Sequence, residues 1–185
     1  MAMQTRAVEN DLVGVILDDH QHLLELFREF DCEKAKSKRK TDMAKHIIKQ
    51  LALHDWLEVQ FLYPTMQKID CTATHHALDA HMEAETLIEQ LLSGDMDPES
   101  EAFREQMSTL ITDVRRHMMD EEFNILPQLR KHFTVTELVN RGELWEKAKA
   151  CAPQNPRLAP ALSLHQGITA AQLDLNPAAD ELSAH

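Results

Sequence analysis

The sequence predicts an all-α protein: an up-down-up-down four-helix bundle with an additional C-terminal helix and an irregular tail. Three observations carry that expectation. The 185-residue chain holds only 4 glycines and 7 prolines, and aromatic residues make up 5% of it, a composition poor in sheet formers and in the residues that turn strands. Apolar residues recur at three- and four-residue spacing over four long stretches, the period of an amphipathic helix. The connections between those stretches are short, which sets consecutive helices antiparallel.

The first helix runs from about Val8 to Asp31 on the stripe Val13, Ile16, Leu17, Leu23, Leu24, Phe27 and Phe30, and the basic stretch Lys34 to Lys40 reads as a loop. Thr41 or Asp42 can cap the second helix, which carries Ile47, Leu51, Leu57, Phe61 and Leu62 until Pro64 removes a backbone donor. Thr72 or Thr74 can start the third, with Ala77, Leu78, Ile88, Leu91 and Leu92 on its stripe and Ser93-Gly94 at its end. Asp97-Pro98 reads as a cap followed by a proline at the first helical position, opening a fourth helix through Phe103, Met107, Leu110, Val114 and Ile125, with Pro127 kinking its last turn. Thr134-Val135-Thr136-Glu137 is a capping box, in which hydroxyl and carboxylate each satisfy an orphan N–H, and it starts a fifth helix reaching about Ala150. The expected organisation is therefore a bundle at 8–133, an accessory helix at 134–150 and a proline-containing tail at 151–185, where Ile168 to Leu173 can form one short helix.

Nineteen Lys and Arg stand against 31 Asp and Glu, a net charge of −12, and that field repels phosphate backbones and anionic lipid. Nucleic acid and membrane surfaces are thus poor partners. The N-terminal residues are polar where a signal peptide needs an apolar run, and no stretch of about 18 apolar residues occurs, so a soluble, cytoplasmic protein is expected. Cys32, Cys71 and Cys151 are odd in number, far apart and without a C-x-x-C, which suggests free thiols rather than disulfides or a thiolate zinc site.

The chemistry lies in the histidines, of which there are 11. On a wheel of about 100° per residue, one histidine per helix falls on the apolar face: His20, His54, His81 and His117. Glu58 and Glu121 follow His54 and His117 by one turn on the same faces. Burying such carboxylates among leucines demands compensating positive charge, and no Lys or Arg shares those faces. A pair of metal ions supplies it, with imidazoles as terminal ligands and the two carboxylates bridging across the core. Four His and two Glu suit a non-haem di-iron centre better than a structural zinc site; by ligand type alone, zinc and manganese stay open.

Neighbouring residues take blander readings. A lone inward histidine is ordinarily a hydrogen-bonded core residue, and a lone H-x-x-x-E a helical pair; it is the recurrence on all four helices that points to metal. Glu85 reads as a bundle-edge residue with ligation as its alternative, and Tyr63 as packing at the end of the second helix, with a place among or directly behind the ligands as its alternative. His46, His75, His76, His132, His165 and His185 read as surface or tail. His117 lies further from its loop than His81 does, so the first turns of the fourth helix must begin late or belong to the loop. None of Leu17, Leu51, Leu78 and Val114, three residues before each inward histidine, is a glutamate, which disfavours a ferritin-like oxidase with its Glu-x-x-His motifs.

His20, then His54-Asp55-Trp56-Leu57-Glu58 with Tyr63-Pro64, then His81, then His117-Met118-Met119-Asp120-Glu121 with Pro127 resembles the hemerythrin-like HHE cation-binding domain over about residues 8–133. The resemblance implies a four-helix bundle with two iron ions, oxo- or hydroxo-bridged, that binds dioxygen, nitric oxide or peroxide. It implies His20, His54, His81 and His117 as terminal ligands and Glu58 and Glu121 as bridges. Oxygen-carrying hemerythrins add a fifth histidine one turn from the third-helix ligand and end on His-x-x-x-x-Asp; here Ala77 precedes His81, Glu85 follows it, and the last motif is His-x-x-x-Glu. Fewer imidazoles shift the expected role from oxygen carriage to sensing, iron handling or detoxification by reaction with peroxide or nitric oxide. The alternative is a metal-free or zinc-bound helical interaction module, using surface groups such as Trp56 toward a protein partner of unknown identity.

Overall fold

The computed structural model of the chain describes residues 10–33, 38–93 and 97–152. They form five continuous helical segments and no strand among the described residues. Segment α1 is Leu12–Cys32; α2 (38–66) joins Lys38–Leu57, Glu58–Leu62 and Tyr63–Met66; α3 is Cys71–Leu92; α4 (101–132) joins Glu101–Asp120, Glu121–Ile125 and Leu126–His132; α5 is Val135–Ala150. The tail expected beyond Ala152, with its short helix, lies outside the described residues, as does most of the basic loop.

Side-chain oxygens set most of the helix starts. Asp11 accepts from the Gly14 N–H at 2.7 Å and opens α1. Three expected caps are displaced. Lys38 is already helical, so Thr41 and Asp42 lie inside α2. Asp70, not a threonine, caps α3 through the Ala73 N–H. Ser100 caps α4 through the Phe103 N–H, while Asp97 serves the preceding turn by accepting from the Glu99 N–H. The late start of α4 accounts for the longer run between its loop and His117. The Thr134–Glu137 capping box opens α5 as the sequence predicts.

The two interior prolines do more than the sequence suggests. Pro64 offers no N–H to the Gln60 carbonyl, and Pro127 none to Phe123; the ring also crowds that carbonyl in a regular helix. Neither helix ends there. Each widens for one turn into a π-helix, Glu58–Leu62 and Glu121–Ile125, with the Tyr63 N–H donating to the Glu58 carbonyl and the Leu126 N–H to that of Glu121. Such i→i+5 turns take an extra residue and collect at functional positions.

Helix α1 packs against α2 and α5, and α3 against α4. The buried apolar residues fall into two clusters. One holds Leu12, Ile16, Leu57, Tyr63, Leu78, Ile125 and Trp145; the other holds Leu23, Phe27, Leu51, Leu91, Leu110 and Val114. Along α1, α2 and α3 the inward histidine stands where one cluster gives way to the other, and along α4 the change falls at Glu121, one turn past His117, so a polar layer separates two apolar ones. Leu17, expected on the stripe, is exposed instead. Segment α5 seats by Gly142, where a Cβ would run into the Asn10 carbonyl and Asp11 backbone, and by Trp145, whose indole N–H donates to Asp19 at 3.1 Å. No helix of the described residues is long and apolar enough to cross a membrane.

Candidate metal centre

The six residues singled out by helical periodicity meet in one place. They form two overlapping groups, His20-His54-Glu58-Glu121 and Glu58-His81-His117-Glu121, the donor atoms within each lying within 4.8 Å of one another. All but His117 are buried, and His117 is half-buried.

Both carboxylates belong to both groups, and each turns one oxygen to each. Glu58 Oε1 faces His54 Nε2 at 3.2 Å and His20 Nε2 at 3.7 Å, while its Oε2 faces His81 Nε2 at 3.2 Å. Glu121 Oε2 faces His20 Nε2 at 3.4 Å, while its Oε1 faces His117 Nε2 at 3.6 Å. In the first group His20 Nε2, His54 Nε2, Glu58 Oε1 and Glu121 Oε2 have no hydrogen-bond partner, although leaving one such group unsatisfied costs about 1–3 kcal/mol.

Two residues hold histidines in register. The His20 ring meets Glu122 through Nδ1 at 2.9 Å, and His81 meets Asp55 through Nδ1. In a neutral ring, a carboxylate at Nδ1 fixes the proton there and leaves Nε2 as the lone-pair atom free to ligate a metal. Sequence reasoning missed both. Each stands one residue beyond a site residue, about 100° around the helix, and so reaches sideways to a neighbouring helix rather than inward. Adjacency to the His-x-x-x-Glu motifs was the signal available.

For Tyr63 helix-end packing is the first expectation and a place among or behind the ligands the alternative; the structure carries its hydroxyl into the second group. The phenol donates to Glu121 Oε1 at 2.7 Å and lies 3.4 Å from Glu58 Oε2, 2.5 Å from His81 Nε2 and 3.4 Å from His117 Nε2. The wide turn after Glu58 is what brings it there.

Burial and charge set the protonation of the metal-free cluster. Burial lowers the pKa of His20, but the facing carboxylates of Glu121 and Glu58 outweigh it and raise the pKa to about 10. Burial pushes Glu58 up, yet His54 and His20 hold it well below the usual carboxylate range. Burial and then His117 keep His81 far below an ordinary imidazole, in the neutral form that ligates metals. Burial, with Glu121 and Glu58 beside it, raises the Tyr63 phenol well above its usual value.

Glu85 joins neither group and instead lines a groove of about 590 Å³ between α2, α3 and α4. His54, His81 and His117 reach this groove, with Leu51, Ala84, Ile88 and Val114 as apolar wall and Asp79, Glu83 and Asp113 as acidic rim. Opposite it Trp145 of α5 closes over His54, their rings 6.4 Å apart. Trp56, expected on the surface, packs half-buried against the core. His22, His46, His75, His76 and His132 are exposed, and so are the three cysteines.

A family model described as Hemerythrin HHE cation binding domain matches residues 11–129. No curated protein matches the chain, and no solved structure does.

Proposed function

The chain belongs to the hemerythrin HHE cation-binding family, and from that premise we propose that it is a non-haem di-iron protein that binds a small ligand, dioxygen, nitric oxide or peroxide, for sensing, iron handling or detoxification. One observation carries the reading: Glu58 and Glu121 each present one oxygen to His20 or His54 and the other to His81 or His117. Carboxylates shared in this way would bridge two cations.

The residues fit such a pair. A cation within the first group satisfies at once the four polar atoms that lack hydrogen-bond partners, and it replaces the proton that His20 otherwise carries against the two carboxylates. Nitrogen and carboxylate donors without thiolate suit iron, with manganese and zinc as the competing ions. His20 and His54 would hold one ion, His81 and His117 the other, and Glu58 and Glu121 both. Bound iron supplies a redox-active Lewis acid.

The chain's own groups decide what reaches it. The groove is lined by His54 of the first position and by both histidines of the second, His81 and His117, and His117 is the least buried of the six residues, so the second position is the more open to a small ligand. The carboxylate rim disfavours anions there and admits neutral molecules. Trp145 and the apolar cluster around it keep water from the first position. On the larger scale we read the four site-bearing helices as an up-down-up-down bundle, a reading supported by the common level at which their histidines meet.

The test is metal content of protein purified without chelator, with ultraviolet–visible spectra before and after dithionite, azide and nitric oxide. Two irons per chain, lost in the Glu58→Ala/Glu121→Ala double variant, are expected. Stoichiometric zinc, or full helicity with no metal, overturns the proposal and leaves a helical interaction module.

A further inference from the structure

Resting on the di-iron reading above, we propose that Tyr63 is a protein ligand of the second metal position, its phenol oxygen completing the set made by Glu58, Glu121, His81 and His117.

Placement comes first. The phenol oxygen lies 2.7 Å from Glu121 Oε1, 2.5 Å from His81 Nε2, and 3.4 Å from both Glu58 Oε2 and His117 Nε2. Donors that share one ion at about 2.1 Å stand about 3 Å apart when adjacent on the coordination sphere. The five atoms therefore have the mutual spacing of a single ligand set. A tyrosine that only packed would bury its ring and send the hydroxyl to a backbone carbonyl or to solvent; this one is fully buried and turned onto four site atoms.

A comparison within the chain makes the choice of residue informative. The runs 54–64 and 117–127 share His, Glu four residues on and Pro six residues after that, and both widen into a π-turn at the glutamate. The residue before the proline is Tyr63 in one and Leu126 in the other. Both are buried in the same apolar cluster. The two positions match in register and in burial, and only one of the two side chains bears an oxygen. The first group, which has no phenol, keeps its unpartnered donor atoms; the second has its carboxylate oxygens served by Tyr63.

On binding, the phenol O–H bond breaks, an oxygen–metal bond forms, and the proton passes to solvent; no electron moves. An anionic oxygen favours the ferric state, so the iron of the second position is the later of the two to be reduced. Since the groove opens on that position, Tyr63 biases the ion that a small ligand meets.

The chain contains a single tyrosine, so any tyrosinate signal is that of residue 63. Full-length protein is loaded anaerobically with ferrous iron and oxidised with ferricyanide. Iron is then counted, and visible and resonance Raman spectra are taken with ordinary and ring-deuterated tyrosine. A visible charge-transfer band enhancing phenolate modes that shift on deuteration is expected, with complete loss of the band in Tyr63→Phe at unchanged iron content. Two irons without tyrosine modes overturn the ligation and leave the di-iron reading standing. No bound iron overturns both. The isotope experiment uses the wild-type chain, so it decides even if Tyr63→Phe does not fold.

Discussion

The two proline-bearing turns, 54–64 and 117–127, are near copies in spacing and unlike in surroundings. Both carry His, Glu and Pro in the same register, and both place their glutamate at the start of a π-turn. Yet His54 of the first run is buried, with Trp145 against its ring and only an edge on the groove, and His117 of the second is half-buried on the groove. The carboxylates are equivalent; what differs is the company each histidine keeps. Symmetry at the bridges with asymmetry at the terminal groups is the arrangement expected when two ions are held alike but one is the more open to the outside.

Removing a bridge is the most severe way to break the comparison. Because each carboxylate serves both groups, Glu58→Ala alone and Glu121→Ala alone are each expected to abolish binding of both ions, as metal analysis after gel filtration will show. A variant that keeps one full equivalent contradicts the shared-bridge geometry.

The backing carboxylates sharpen it. Glu122 orients His20 of the first group and Asp55 orients His81 of the second, so Glu122→Gln and Asp55→Asn should each weaken one position by about 10–100-fold. Stepwise metal titration distinguishes them: the two variants should depress different steps, and the same step in both would show the positions to be one.

Smaller again is the effect of lifting the cover. Gly142→Ala sets a methyl against the Asn10 carbonyl and should cost about 1–3 kcal/mol, the usual range for overpacking. Denaturant titration reads the loss, and in the loaded protein the substitution should open the Trp145 side to solvent exchange while leaving the groove side unchanged.

The mildest probe is pH, applied to metal-free protein. His20 has its folded pKa raised to about 10 from an unfolded value of 6.5, so its contribution is complete below pH 6.5 and is lost as pH rises toward 10. The melting temperature should fall across that window, and the fall should be absent in His20→Gln. A rise instead would mean that His20 is neutral in the folded chain.

Periodicity made much of this legible. His20, His54, Glu58, His81, His117 and Glu121 were readable because α-helical wheels hold up to the glutamates, and the Thr134 box was readable because it is local. The wheel fails just past Glu58. At about 100° per residue Tyr63 should stand about 140° from Glu58, on a different face; the i→i+5 turn returns it to the same one. Pro64 was the visible mark of that change, and it reads equally well as a simple helix end. Asp55 and Glu122 were hidden for another reason: their contacts run between helices, and one helix's wheel says nothing about its neighbour's position.

The polar layer between the two apolar clusters bears on how the molecule comes apart. The two clusters are separate and the histidines and carboxylates lie between them, so without metal that layer includes buried groups that lack partners. Amide hydrogen exchange in the metal-free chain should then resolve two cooperative units, one around Trp145 and one around Phe27, with separate opening free energies. Loaded protein should exchange as one, because the ions would act as the mortar between two half-cores.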